Sequence, residues 1–143
     1  MVQMNTNDME NFLSEPRFAV FATVFPNQMP QLTTVWFLYA DKIFYFGIER
    51  SSVKYKNIRN NSNVSVCIDG DFPDGRTLVI YGNAQVIEVE TVETNKLMWD
   101  LTLKYHKNEQ EAREYQKLIA DLDLVLVKLV PDKIIAMDFN KNS

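Results

Sequence analysis

The sequence is poor in the residues that most often carry catalysis and metal binding. Its 143 residues include one cysteine, Cys67, and one histidine, His106. These counts exclude an intramolecular disulfide, multi-cysteine zinc sites, multi-histidine metal sites and two-histidine proton relays. We therefore expect no metal site, and the sequence identifies no catalytic residue. So few acid–base and nucleophilic groups favour a redox cofactor that brings its own chemistry.

Basic charge and long apolar runs are also scarce. The chain has 15 lysines and arginines against 19 aspartates and glutamates, a formal net charge of −4. A nucleic-acid-binding domain normally has a basic excess, so we expect no nucleic-acid partner. We find no run of about 18 apolar residues and no signal-peptide pattern over Met1–Asn11, so we expect no membrane partner and a cytoplasmic protein.

Aromatic residues, by contrast, are plentiful. The chain contains nine phenylalanines and six tyrosines, and 46% of its residues are hydrophobic. This length and composition predict a single domain over residues 1–143 with a real core. The aromatic surplus indicates a β-rich interior or an interface shared with a second subunit, more than a helical bundle.

Apolar and alternating runs predict an order of strands and helices. The predicted strands cover 17–25, 31–39, 42–48, 64–68, 77–89, 124–130 and 133–139. Gly82 interrupts the fifth strand, where we expect a bulge or a close approach of two backbones. Pro131 and Asp132 are expected to separate the last two strands. Helices are predicted after Thr6–Asp8, after Ser51–Ser52, over 93–107 and after Asn108.

The start of the second helix has the composition of an anion site. Ser51 and Ser52 are good N-cap residues, Lys54 follows them, and Asn57 offers a further donor one turn on. Hydroxyls, free amides and a lysine together can hold a phosphate. The same pattern is also typical of an ordinary solvated helix start, so the residues alone leave both interpretations open.

The strand before this helix has no cleanly apolar face. It mixes polar, aliphatic and aromatic side chains near its middle, which is typical of a strand that touches something polar and flat. Trp36 fits an ordinary core position equally well. The candidate residues for such a contact are Gln31, Leu32, Thr33, Thr34, Val35 and Trp36.

The ordered set of these segments resembles a known family. The segments are RFAVFATV from residue 17, PQLTTVWF from residue 30, the strand over 43–48, SSVKYKNIRN from residue 51, VSVCID from residue 64 and GNAQV from residue 82. They resemble the flavin- and deazaflavin-binding split-barrel proteins related to pyridoxamine 5'-phosphate oxidase, closely over residues 10–90 and loosely over 91–143. Where that family usually has T-P-V-W, this chain has Thr33-Thr34-Val35-Trp36, so the backbone beside the ring is expected to differ.

The resemblance implies a fold and a site. The fold is mainly β (α+β), a six-stranded antiparallel split β-barrel with flanking helices. The cofactor phosphate sits at the helix start, where Lys54 falls on the family's phosphate-binding lysine, and the ring lies along the strand over 31–36. The resemblance also implies a homodimer with the cofactor at the subunit interface.

The function that follows is an FMN- or F420-dependent oxidoreductase acting on an unknown small-molecule substrate. One alternative is a non-catalytic flavin-binding or sensing module, and another is a barrel used only as an interaction scaffold. Pyridoxine phosphate oxidation itself is not expected. In the C-terminal third, Lys133 has no accompanying arginines to form that enzyme's substrate-phosphate cluster.

Overall fold

The computed structural model describes residues 2–141, which form eight strands and four helices. The strands are β1 (Val2–Gln3), β2 (Ala19–Val24), β3 (Pro30–Val35), β4 (Leu38–Ala40), β5 (Ile43–Glu49), β6 (Asn63–Asp69), β7 (Arg76–Ile87) and β8 (Leu124–Asp138). The helices are α1 (Thr6–Ser14), α2 (Val53–Asn60), α3 (Val92–Lys104) and α4 (Glu109–Leu118). None of the helices within these residues is long and apolar enough to cross a lipid bilayer.

The strands form one curled antiparallel sheet. Their order is β3-β2-β6-β7-β8-β5-β4, and β1 pairs with β8 off this path. The two edge strands, β3 and β4, follow each other in the chain and are joined only by Trp36 and Phe37. A connection this short spans roughly 11 Å at most. The sheet therefore has to curl until its edges approach, and this half-barrel with flanking helices confirms the predicted split-barrel fold. The number of strands differs from the prediction: within the described residues the sheet has eight strands where six were expected, because the short strands β1 and β4 also join it.

The end of the chain corrects one prediction. The two strands expected over 124–130 and 133–139 form one continuous strand, β8. Pro131 lies opposite Gly82, where the register between β7 and β8 shifts. Proline has no N–H to donate and is tolerated at bulges, so the bulge accommodates it and the strand continues. The predicted irregularity at Gly82 is thereby confirmed.

Two of the predicted N-cap residues cap their helices in the structure. Ser52 caps α2, and Asn108 caps α4 by accepting a hydrogen bond from the Glu111 amide at 2.9 Å. The prediction for α1 is wrong by a residue or more, because the cap is Asn5 and not a residue of Thr6–Asp8. Its Oδ1 accepts from the Asp8 amide at 2.8 Å, so the helix begins directly after it.

Phenylalanines fill the interior of the curled sheet. Phe21, Phe37, Phe44 and Phe46 are fully buried. The rings of Phe21 and Phe46 meet edge to face with centroids 4.8 Å apart, a favoured aromatic geometry. Helix α2 packs on β2, β5 and β7, so the core fixes its first turn beside the end of β5.

Candidate functional site

The turn between β5 and α2 is built around the Ser52 hydroxyl. Ser52 Oγ donates to the Glu49 carbonyl at 2.6 Å and accepts from the Tyr55 amide at 3.3 Å. Ser51, beside it, is exposed. The first amides of a helix have no partners inside the helix and carry partial positive charge. The turn therefore presents an exposed hydroxyl and free amides at the positive end of α2.

Lys54 faces a cleft shared with the edge of the sheet. The cleft has a volume of about 300 Å³, and Lys54 lines it together with Thr34, Val35 and Trp36. Glu49 is the one carboxylate among its lining residues. Within residues 2–141 Lys54 forms no ion pair. The cleft thus joins a lysine that forms no ion pair to the strand that the sequence predicts to contact a ring.

Strand β3 leaves one side of its backbone open. It pairs with β2 and forms one edge of the sheet. Leu32 is 62% exposed on its outer face, and Thr34 is exposed beside it. The Thr33 hydroxyl oxygen is buried and has no hydrogen-bond partner within the described residues. The open strand edge offers backbone N–H and carbonyl groups of the kind that a heterocyclic ring edge requires, whereas Thr33 itself does not line the cleft.

Two of the candidate residues turn inward instead. Asn57 is buried, and its Nδ2 donates to Thr23 Oγ1 at 3.0 Å. Thr23 Oγ1 in turn donates to Gln31 Oε1 at 2.8 Å. This chain of hydrogen bonds ties α2 to β2 and β3. Because each amide already has a partner inside the protein, direct contact of Gln31 or Asn57 with a cofactor stays a prediction.

Aromatic side chains form the wall of the cleft beside Lys54. The Trp36 ring stacks on Tyr105 with centroids 4.6 Å apart and an interplanar angle of 5°. Tyr115 packs against Trp36 at 5.2 Å, and His106 meets it edge-on at 5.8 Å. Trp36 and Tyr115 both line the cleft. The wall therefore offers aromatic surface of the kind on which a planar ligand stacks.

A charged network ties the turn to the end of β7 and the start of β8. Arg50 pairs with Glu88 and, at 3.2 Å, with Asp123. Glu88 also accepts from Tyr55 at 2.8 Å and Arg59 at 3.1 Å. The Tyr55 hydrogen bond, followed by Arg50 and Arg59, lowers the pKa of Glu88. Arg50 lines a neighbouring cleft, so its charge braces the turn instead of facing Lys54.

Lys104 is a half-buried lysine at the end of α3. Its Nζ donates to the carbonyls of Leu13 at 2.9 Å and Phe37 at 3.0 Å. Burial, and secondarily the charge of Arg17, lowers the pKa of Lys104 from 10.5 to about 7. In the unfolded chain a lysine keeps its ordinary pKa near 10.4. Between about pH 7 and 10, therefore, the unfolded state binds more protons than the folded state.

This difference gives stability a pH dependence of known sign. Stability rises with pH wherever the unfolded state binds more protons, so the free energy of unfolding should increase from about pH 7 to about pH 10. A Lys104→Met variant should lack this increase, because it has no proton to release. Urea unfolding of both proteins across that range measures it. Parallel pH profiles for parent and variant would contradict the assignment.

Several cleft residues come from the helices predicted over 93–107 and after Asn108, in which the sequence identified no site residue. Met98 and Leu101 of α3 and Tyr115 of α4 line the cleft. Their helical spacing gave the only signal, and that spacing does not say what the apolar stripe covers. Within residues 2–141, no three histidine, cysteine, aspartate and glutamate side chains are grouped to hold a metal ion.

Comparisons with known proteins agree with this architecture. The family model for pyridoxamine 5'-phosphate oxidase matches residues 6–138. Among solved structures, a conserved hypothetical protein of Mycobacterium tuberculosis is 22% identical with a TM-score of 0.78, over 94% of this chain and 85% of that one. None of the curated proteins compared with the sequence matches it.

Two further structures carry informative names. An F420 reductase is 22% identical with a TM-score of 0.65, over 87% of this chain and 94% of that one. A protein of Mesorhizobium loti described as FAD-binding is 14% identical with a TM-score of 0.66, over 94% and 95% of the two chains. At these identities the structural likeness shows the fold alone.

Proposed function

Because the chain belongs to the pyridoxamine 5'-phosphate oxidase family, we propose that it is a flavin- or deazaflavin-dependent oxidoreductase acting on a small molecule. FMN is the proposed cofactor, with F420 as the alternative. Similar structures named as an F420 reductase and an FAD-binding protein support a ligand of this type. No pyridoxine phosphate substrate is proposed, because the basic cluster it needs is missing from the sequence.

One observation carries this proposal: Lys54 and the stretch Thr34–Trp36 line the same cleft. A phosphorylated flavin needs an anion site at one end and a flat slot at the other. Lys54 has no ion pair within residues 2–141, and Trp36 with Tyr115 offers aromatic surface. The open edge of β3 adds backbone polar groups beside the cleft. The residues present therefore fit such a cofactor.

Each part of the site has its own task in this proposal. A bound flavin or deazaflavin supplies the hydride chemistry. Lys54, the exposed Ser51 and the first amides of α2 hold the phosphate. The open edge of β3 orients the ring by hydrogen bonds. Trp36 and the apolar side chains of Met98 and Leu101 exclude water from one side of it.

One feature of the cleft favours a second candidate function, a flavin-binding or sensing module without catalysis. Within residues 2–141 neither His106 nor Cys67 lines the cleft, and its titratable lining residues are Glu49, Lys54 and Tyr115. A binding module and an enzyme would hold the same cofactor. Only in an enzyme is the bound cofactor reduced by a reductant and then reoxidised by a substrate.

Mass spectrometry of the small molecule that copurifies with the protein tests the proposal directly. We expect a yellow protein that carries FMN, or failing that F420, and binds either when titrated. Bleaching of the colour by NAD(P)H, or turnover with reduced F420, supports the enzyme over the sensing module. A colourless protein that binds neither FMN nor F420 refutes both functions.

A homodimer is part of the proposal, because apolar side chains lie exposed on β2 and β3 and in the segment before β2, next to the cleft. Phe18, which lines the cleft, is 67% exposed, and Leu32 and Val20 are 62% and 40% exposed on β3 and β2. An uncovered strand edge such as β3 invites pairing with another chain. A second copy docked on this face would cover the apolar side chains and close the cleft.

A charge placed in this face should prevent dimerisation. We expect Leu32→Glu to convert a dimer to a monomer in size-exclusion chromatography with light scattering, because a carboxylate would be desolvated in the interface. Leu118→Glu is the matched control, since Leu118 is 83% exposed on α4. It should leave the mass unchanged. A parent that is monomeric at every concentration, or a dimeric Leu32→Glu variant, counts against this interface.

A further inference from the structure

Side chains at the end of α3 hold the short connection between β3 and β4. Trp36 and Phe37 lie between the two strands and belong to neither. The Phe37 N–H donates to Tyr105 Oη at 3.1 Å, and the Phe37 carbonyl accepts from Lys104 Nζ at 3.0 Å. Both polar groups of one loop residue are therefore fixed by two adjacent side chains, Lys104 and Tyr105, which we call the clamp.

The clamp is itself anchored elsewhere in the fold. Lys104 Nζ also donates to the Leu13 carbonyl at 2.9 Å and lies 3.5 Å from the centre of the Phe37 ring. Tyr105 Oη donates to the Arg17 carbonyl at 2.5 Å. Leu13 lies in the last turn of α1, and Arg17 precedes β2. The position of the connection is thus set by three separate parts of the chain.

Tyr105 also supports Trp36, the residue next to the Phe37 whose N–H it binds. Its ring lies parallel to that of Trp36, with an interplanar angle of 5°. Trp36 lines the cleft, whereas Tyr105 is not among the lining residues. Tyr105 therefore supports the indole from behind, as seen from the cleft. Moving the Phe37 peptide or the Tyr105 ring would turn the surface that Trp36 presents to the cleft.

We propose that Lys104 and Tyr105 are positioning residues of the cofactor site. Neither touches the cleft contents. Each acts through the Phe37 peptide and through Trp36, fixing the indole in the orientation that meets the cofactor ring. The inference rests on the proposed function for its ligand, but the orientation of Trp36 is a property of the protein alone and can be measured without any cofactor.

The first test uses the protein without cofactor. The chain has two tryptophans, so a Trp99→Phe background leaves Trp36 as the only one. Tyr105→Phe keeps the stacked ring and removes the hydroxyl, and Lys104→Met keeps the aliphatic stem and removes the charge. We expect both changes to shift Trp36 emission to longer wavelengths and to increase its quenching by acrylamide. Unchanged emission and quenching in both folded variants would overturn the proposal.

The second test uses the FMN-loaded protein. If Trp36 no longer keeps its orientation, its aromatic contact with the flavin is weakened. We expect each clamp variant to bind FMN roughly two- to tenfold more weakly than the parent. The change of orientation should also alter the visible circular dichroism of the bound flavin, which a purely structural role would leave unchanged. Lys96→Met is the control on the same helix, because the Lys96 side chain is 74% exposed. It should match the parent in both measurements.

The two tests separate the inference from the proposed function. If the parent binds no FMN or F420, the proposed function fails, and Trp36 emission alone decides whether the clamp positions this ring. If the parent binds FMN and both clamp variants keep its affinity and dichroism, the clamp fails as a positioning device. Tyr105→Phe retains almost all of the buried volume, so it keeps the test valid even if Lys104→Met does not fold.

Discussion

Lys54→Ala should weaken the binding of FMN and of F420 by about tenfold to a hundredfold. A hydrogen bond to a charged group contributes about 1.5–3 kcal/mol, and each 1.4 kcal/mol corresponds to a factor of ten in affinity. Lys54 lines the cleft and has no ion pair within residues 2–141, so its removal breaks no internal contact of that kind. The fold should be retained. Fluorescence titration of the apoprotein measures the dissociation constant.

Two controls locate the effect at the phosphate. Riboflavin lacks the phosphate, so its affinity should be nearly the same for the parent and the variant. Lys56→Ala removes a cation of the same helix that lines neither this cleft nor the one beside Arg50. It should bind FMN like the parent. Parent-like affinity of Lys54→Ala for both phosphorylated cofactors would show that the anion site lies elsewhere.

Gly82→Ala should lower the free energy of unfolding by about 3 kcal/mol, at the upper end of the usual cost of overpacking. A Cβ at this position would lie 2.4 Å from the Val130 carbonyl oxygen and 2.9 Å from Leu129 Cδ1. The first of these is backbone of the neighbouring strand, which cannot move without breaking the pairing of β7 and β8. We expect the melting temperature to fall by roughly 10 °C. Urea unfolding with an unchanged slope would confirm a loss of native stability.

Gly47→Ala is the matched control for this prediction. A Cβ there would lie 3.1 Å from Met98 Sδ and 3.4 Å from its terminal methyl group. These are the far end of a flexible side chain, which can move aside, so the cost should stay below about 1 kcal/mol. A Gly82→Ala variant as stable as Gly47→Ala would mean that β7 and β8 are farther apart than described.

Sequence patterns predicted the parts of the fold that depend on local chemistry. The Ser52 cap follows from hydroxyl geometry at a helix start, and the bulge follows from an isolated glycine in a strand. The continuity of β8 did not follow, because Pro131 reads as a breaker until its position opposite Gly82 is known. The pairing of β8 with β7 therefore determines that β8 is continuous.

The candidate site was predictable to a similar extent. The residue types and their order brought Lys54 and Thr34–Trp36 into one hypothesis, and the structure has them lining one cleft. The inward direction of Gln31 and Asn57 was not predictable, because strand alternation and helical spacing each separate faces without saying which face is buried. Tyr105 lies at the helical spacing that is also typical of a core residue. Its stacking on Trp36 could therefore not be predicted from the sequence.

The position of β8 has a consequence for the order in which the sheet assembles during protein synthesis. This strand pairs with β1, β5 and β7, and it joins the ladder β3-β2-β6-β7 to the hairpin β5-β4. During translation, therefore, the nascent chain has these two fragments before it has the strand that unites them. Until Leu124 and the residues after it leave the ribosome, β5 and β7 each expose an unpaired edge, and the interior between them stays open to solvent.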